Sequence, residues 1–157
     1  VMNGLAMRDE LIRQGGKCVL MSAYGIPSIS AQYSAVAGRK ALEDGNVVIV
    51  AGGTGSPFFT TDTTAVLRAI ELKCDEVMKG TKVDGVYTAD PVKDPSAVRY
   101  TSLSFNEVLA KELQVMDLTA FVLARDHHMP IRVFSMNNEG ALLRAATGKD
   151  EGTLVSD

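Results

Sequence analysis

The sequence predicts an α/β sandwich on a mostly parallel sheet, and three observations carry that expectation. Short apolar runs alternate with helical patterns along the chain. The run VVIVA at 47–51 is β-branched and does not alternate with polar residues, as expected of a strand covered on both faces. Turn residues gather where strands hand over to helices, most densely at 52–62. With 157 residues, 46% of them hydrophobic and 22% charged, one domain with a sizeable core is expected.

The elements follow in order. VMNGLAMRDELIRQGG steps its apolar residues Met2, Leu5, Ala6 and Ile12 at near-helical spacing and stops at Gly15-Gly16. A chain that opens in mid-helix, at Val1 and not at Met, reads as part of something longer. KCVLMS, 17–22, is a short buried strand; the irregular AYGIPSIS leads into a helix over 32–44, stopped by Gly45. A third helix is expected after Asp62, a good N-cap, with Ala65, Val66, Ala69 and Ile70 on one face. A strand over 76–81 precedes 82–101, where Asp84-Gly85, Asp90-Pro91 and Asp94-Pro95 mark turns. Ser104 and Glu107 have capping-box spacing, and Asp117 caps LTAFVLARDHH. IRVFSM is a strand, EGALLRAATG a helix and GTLVS a last edge strand.

Charge and cysteines narrow the function classes. A net charge of −3 argues against an electrostatic nucleic-acid binder. No apolar run approaches the ~18–20 residues of a membrane span, and no signal peptide is recognisable, so a cytoplasmic domain is expected. Cys18 and Cys74 match no metal spacing and read as buried, reduced thiols. His127 and His128 diverge by about 100° on a helix of ~3.6 residues per turn, a poor metal pair. Near a helix end, a protonated histidine facing the carbonyls is the simpler reading.

Two loops carry the chemistry. In GGTGSPFFTTD the glycines permit close backbone approach, and Thr54, Ser56, Thr60 and Thr61 offer hydroxyls. A following helix N-terminus adds N–H donors suited to phosphate, and Phe58 and Phe59 either wall a flat ring or pack inward. There is no Gly-Lys-Ser/Thr ending, and Phe58 stands where a dinucleotide fingerprint needs glycine. In KGTKVDGVYTADPVKDP, Asp84, Asp90 and Asp94 lack EF-hand spacing, and each suits a turn. Tyr87 either stacks on a base or covers a sheet edge, while Lys79 and Lys82 meet phosphates or solvent. No Gly-x-Ser-x-Gly elbow anchors a hydrolase triad. The residues alone point to a phosphate- or nucleotide-binding α/β domain, or to a plain glycine-rich connector on the same frame.

The strings GGTGSPFFTTDT, TKVDGVYTADP, VMDLTAF, ARDHHMPIRVF and EGTLVS resemble the bacterial uridylate kinases, a branch of the amino acid kinase superfamily. The resemblance runs in unbroken order from Val1 to about Val155. It implies an αβα sandwich around a largely parallel eight-stranded sheet, assembled as a hexamer. The implied activity is transfer of the ATP γ-phosphoryl to UMP with Mg²⁺, activated by GTP and inhibited by UTP. By position, Thr54, Gly55, Ser56, Pro57, Phe58, Phe59, Thr60 and Thr61 match the UMP loop, with Thr54 and Thr61 as principal contacts; Ser56 departs from a frequent asparagine. Thr81, Tyr87 and Asp90 match the ATP site, Tyr87 against adenine and Asp90 near the ribose. Asp62, Asp75 and Asp117 match acidic positions of the family, Asp117 and Asp62 being the candidates for the catalytic step. The family's amino-terminal third carries a lysine, a Gly-Gly-Gly phosphate loop and acceptor-site residues that have no counterpart here. The chain therefore reads as a single amino acid kinase-like domain lacking that third, short of the main phosphate clamps. The alternatives are a non-catalytic nucleotide-binding or storage protein of the same fold, or another kinase of the superfamily.

Overall fold

The computed structural model describes residues 1–157. They form two compact units, 1–64 with 71–73, and 65–70 with 74–157. Helices and strands mix as expected, and four of the five strand pairings are parallel. The seven strands make two sheets, one in each unit.

The first unit holds α1 (Met2–Arg13), β1 (Cys18–Ser22), β2 (Ala31–Gln32), α2 (Ala35–Glu43) and β3 (Val47–Ala51). Its sheet has the order β2-β1-β3, all parallel. β1 is central, with Leu20, Met21 and Ser22 buried. β3 is an edge of this sheet and none of its residues is fully buried, so the expectation of a strand covered on both faces fails here. α1 lies close on the sheet through Gly4, where a Cβ would come within 2.9 Å of Leu20 and 3.4 Å of Ile49. α2 begins three residues later than its pattern predicts. Residues 31–32 pair instead with Met21 and Ser22, and Ser34, in extended conformation, accepts the Ala37 N–H at 3.5 Å as the cap.

By contrast, α3 (Thr61–Leu72) starts earlier than predicted. The Thr60 hydroxyl accepts the Thr63 N–H at 3.2 Å, and its carbonyl accepts the Thr64 N–H at 3.1 Å. Asp62 is therefore not the N-cap; it sits inside the first turn, where the helix dipole favours a negative charge.

The second unit holds β4 (Val77–Thr81), β5 (Ser102–Ser104), α4 (Phe105–Ala110), α5 (Leu118–Asp126), β6 (Ile131–Ser135), α6 (Ala141–Ala146) and β7 (Thr153–Ser156). The sheet order is β4-β6-β7-β5, with β6 and β7 antiparallel. The expected last edge strand is thus interior. Thr153 and Val155 are fully buried, and the Thr153 hydroxyl accepts the Val86 N–H at 2.9 Å while donating to the Tyr100 carbonyl. β5, unmarked in the sequence pattern, is three residues paired to β7. The core joins Phe105 and Phe121 edge-on, centroids 5.3 Å apart, with Ile131, Val133 and Val155 beneath.

The other two predicted helix starts are capped as expected. Ser104 and Glu107 form a reciprocal capping box, and Asp117 Oδ1 accepts the Ala120 N–H at 3.0 Å. His127 is the C-cap of α5, and the His128 Nδ1 faces an Asp157 carboxylate oxygen. Cys74 is exposed and Cys18 half-buried, both free. This corrects the reading of two buried thiols, since Cys74 lies on the connection beyond α3 and not on a core face. No helix is long and apolar enough to cross a membrane.

Gly152, which leads into β7, has φ +70°, and a Cβ there would fall 1.9 Å from the Val133 carbonyl oxygen. Gly152→Ala combines left-handed strain with a backbone clash. It is expected to destabilise the fold by more than about 3 kcal/mol in denaturant titration; a loss under about 1 kcal/mol would contradict this packing.

Candidate functional site

The loop from β3 to α3 is built from left-handed backbone. Gly52, Gly53 and Gly55 have φ between 67° and 81°, and Phe58, a non-glycine, has φ +70°. Such a residue stores on the order of 1 kcal/mol of strain. The Phe58 ring is fully exposed and the Phe59 ring more than half so. Covering one such ring is worth about 1.5–3 kcal/mol, so the loop presents apolar area that a planar ligand would bury.

Inside the loop, the Thr54 hydroxyl accepts the Ser56 N–H at 3.0 Å and donates to the Ser56 carbonyl at 3.2 Å. One side chain thereby folds the turn. From the β1–β2 connection, the Tyr24 hydroxyl donates to the Gly55 carbonyl. Gly55 has no side chain where a Cβ would lie 3.3 Å from the Tyr24 ring. Thr60 and Thr61 sit at the helix start, Thr60 as cap and Thr61 exposed in the first turn.

The second unit repeats the threonine device at the end of β4. The Thr81 hydroxyl accepts the Val83 N–H at 3.0 Å and donates to its carbonyl at 2.7 Å. Beyond it lies a pocket of about 540 Å³, lined among others by Val86, Tyr87, Asp90, Lys93, Lys111 and Gln114, a size that holds a nucleotide-scale ligand. Two of the three ATP-site candidates, Tyr87 and Asp90, meet in this pocket; Thr81 is not among its walls. The Tyr87 hydroxyl donates to Asp84 Oδ1 at 2.6 Å. That bond to a carboxylate, followed by burial, holds the phenol above its ordinary range. Asp90 Oδ1 accepts the Val92 N–H at 3.0 Å, and its other oxygen lies 3.6 Å from Lys93 Nζ.

Two pocket cations, Lys93 and Lys111, are absent from the sequence candidates. Lys111 Nζ sits 4.8 Å over the Tyr100 ring and 3.9 Å from Glu107. Its i,i+4 spacing to Glu107 was the only signal in the sequence. Tyr24 was also missed, being 31 residues from its partner. Of the acidic candidates, Asp62 belongs to the first unit, Asp117 caps α5 in the second, and Asp75 is exposed between α3 and β4. Lys79 is half-buried and donates to the Val115 carbonyl at 3.1 Å, whereas Lys82 is exposed. Within either unit, no three His, Cys, Asp or Glu side chains are placed to hold a metal ion.

The chain resembles known proteins in sequence and in fold. The model of the amino acid kinase family matches residues 3–135. A uridylate kinase of Vibrio cholerae serotype O1 is 58% identical over all 157 residues, which span 65% of that relative's length. The crystal structure of UMP kinase from Bacillus anthracis superimposes on 99% of the chain, and 65% of its own, with TM-score 0.95 and 35% identity. That of UMP kinase from Ureaplasma parvum gives TM-score 0.94 and 34% identity over 99% of the chain and 67% of its own. With its glycine-rich loop, its nucleotide-sized pocket and a family match over most of its length, the chain belongs to the amino acid kinase family.

Proposed function

We propose that this chain carries the nucleotide-binding machinery of a UMP kinase, which moves the γ-phosphoryl of ATP to the phosphate of UMP. The observation that carries the reading is the 58% identity to a uridylate kinase along the whole chain, both loops included. In the reaction a UMP phosphate oxygen attacks the γ-phosphorus in line, the bond to the bridging oxygen breaks, and ADP and UDP leave. No covalent enzyme intermediate is needed; alignment and charge neutralisation supply the rate.

In this reading residues 54–61 bind UMP. Thr61 offers an exposed hydroxyl in the first turn of α3, and Phe58 and Phe59 present rings to the base. Tyr87 and Asp90 bind the adenine and ribose in their shared pocket, with Lys93 and Lys111 at its wall; Thr81 shapes the strand end behind them. Asp117 and Asp62 are assigned to the environment of the moving phosphoryl. No three His, Cys, Asp or Glu side chains within either unit are placed to cage a metal ion; Mg²⁺ would be carried on the phosphates of ATP, and no step is drawn through it. A single kinase-like domain, a cytoplasmic hexamer, GTP activation and UTP inhibition belong to the same proposal on the resemblance alone.

Thr61→Val keeps the β-branched shape and deletes only an exposed hydroxyl. In equilibrium titrations it should weaken UMP about tenfold and leave ATP within about twofold; equal losses for both, or none, would contradict the assignment. The Tyr87 phenol must stay neutral to face a base. With its folded pKa raised, the Asp84 bond is fully present below the ordinary tyrosine value and is lost as pH rises through the folded one. Absorbance titration should therefore show one of the four tyrosines ionising late, and Asp84→Asn should bring it down. Ionisation of Tyr87 at or below the ordinary value would overturn this.

A further inference from the structure

We propose that Tyr24 is a positioning residue for the UMP loop, holding it in its binding shape from the β1–β2 connection; this rests on reading residues 54–61 as the UMP site. Three linked observations carry it. The Tyr24 hydroxyl donates to the carbonyl of Gly55, at the apex of the turn that Thr54 folds around Ser56. The tyrosine backbone is itself fixed. Ser22, buried at the end of β1, donates to the Tyr24 carbonyl at 2.5 Å and lies 2.6 Å from the buried Ser30 hydroxyl. Gly55, at φ +81°, leaves open the space that the ring occupies, a Cβ being 3.3 Å from the ring and 3.2 Å from Ala23.

The chemistry explains why the contact matters. Gly52, Gly53, Gly55 and Phe58 all lie in the left-handed region, and a run of three glycines in nine residues has many other conformations open to it. Thr54 holds one turn locally, but nothing in that turn fixes where it stands relative to β1. The Tyr24 bond does, and it leaves the Gly55 carbonyl satisfied without water. Yet the tyrosine is two-thirds exposed, more than core packing requires. Its ring therefore lies along the loop with much of its body in solvent, a placement suited to holding a glycine-rich segment for a ligand. Tyr24 touches no reacting atom in this account; it acts through Gly55 and Ser56.

The test is Tyr24→Phe, which keeps the ring and removes the donor. Amide hydrogen exchange at residues 53–56 should accelerate about tenfold, with β1 and β3 unchanged. UMP should weaken about three- to tenfold and ATP should not change. In the double variant with Gly55→Ala, whose added methyl displaces the ring, the effects on UMP binding should fall short of additive. Unchanged exchange at 53–56 would overturn the positioning role whatever happens to UMP. Faster exchange with unchanged UMP affinity would show that Tyr24 holds the loop while UMP binds elsewhere, which overturns the site reading instead. Faster exchange throughout β1 and β3 would reduce Tyr24 to a fold contact and would also overturn the proposal.

Discussion

Five parallel Cα pairs, from Cys18 with Val47 to Ser22 with Ala51, tie β1 to β3 and bring the carboxyl ends of both strands to one edge. Parallel strands cannot be joined by a tight hairpin, so each must leave the sheet through a loop and a crossover. β1 leaves through the connection carrying Tyr24, and β3 through the glycine loop carrying Thr54. Because the two strands end in register, these loops emerge side by side, and the hydroxyl of one reaches the carbonyl of the other. The second unit obeys the same constraint. β4 and β6 pair in parallel from Val77 with Ile131 to Thr81 with Ser135, and the segment leaving β4 supplies Tyr87 and Asp90. Ligand sites of α/β sheets lie at these carboxyl ends for the same reason.

Within that frame, both strand exits use a threonine to turn the chain. Thr54 and Thr81 each close a bond pair with the residue two positions on. The device fixes a turn without a second element. It leaves neighbouring glycines free to take left-handed geometry and bare N–H groups free to face a ligand. The proposed phosphoryl transfer suits such construction, since geometry and charge rather than covalent chemistry supply its rate. The exposed Phe58 and Phe59 rings, the first turn of α3 and the cations Lys93 and Lys111 are the materials on offer.

Much of this was legible in the residues, and the reasons for the remainder are physical. The strands at 18–22 and 131–135 appear as largely apolar runs because most of their residues are buried, and Ser104, Glu107 and Asp117 announce helix starts because orphan N–H groups need acceptors. β2 and β5 are too short to carry a pattern; partner strands alone define them. The interior place of β7 depends on pairing with both β5 and β6, which local sequence does not encode. At α3 the sequence presents Thr60, Thr61 and Asp62 in a row, and hydrogen-bond geometry selects Thr60 as the cap. At the candidate site, residues 54–61 and Tyr87 with Asp90 stood out by composition and resemblance. Tyr24 and Lys111 did not, because their parts come from contacts with residues distant in sequence, and Lys93 did not, because only the folded loop brings it to the pocket wall.

We propose that the chain binds two nucleotides at two separate sets of residues. Amide hydrogen exchange measured with UMP alone and with ATP alone addresses it directly. The account predicts that UMP slows exchange in residues 52–64 and ATP in 83–94 and 111–114, with little overlap. Protection of the same residues by both nucleotides, or protection by UMP confined to the second set, would contradict it.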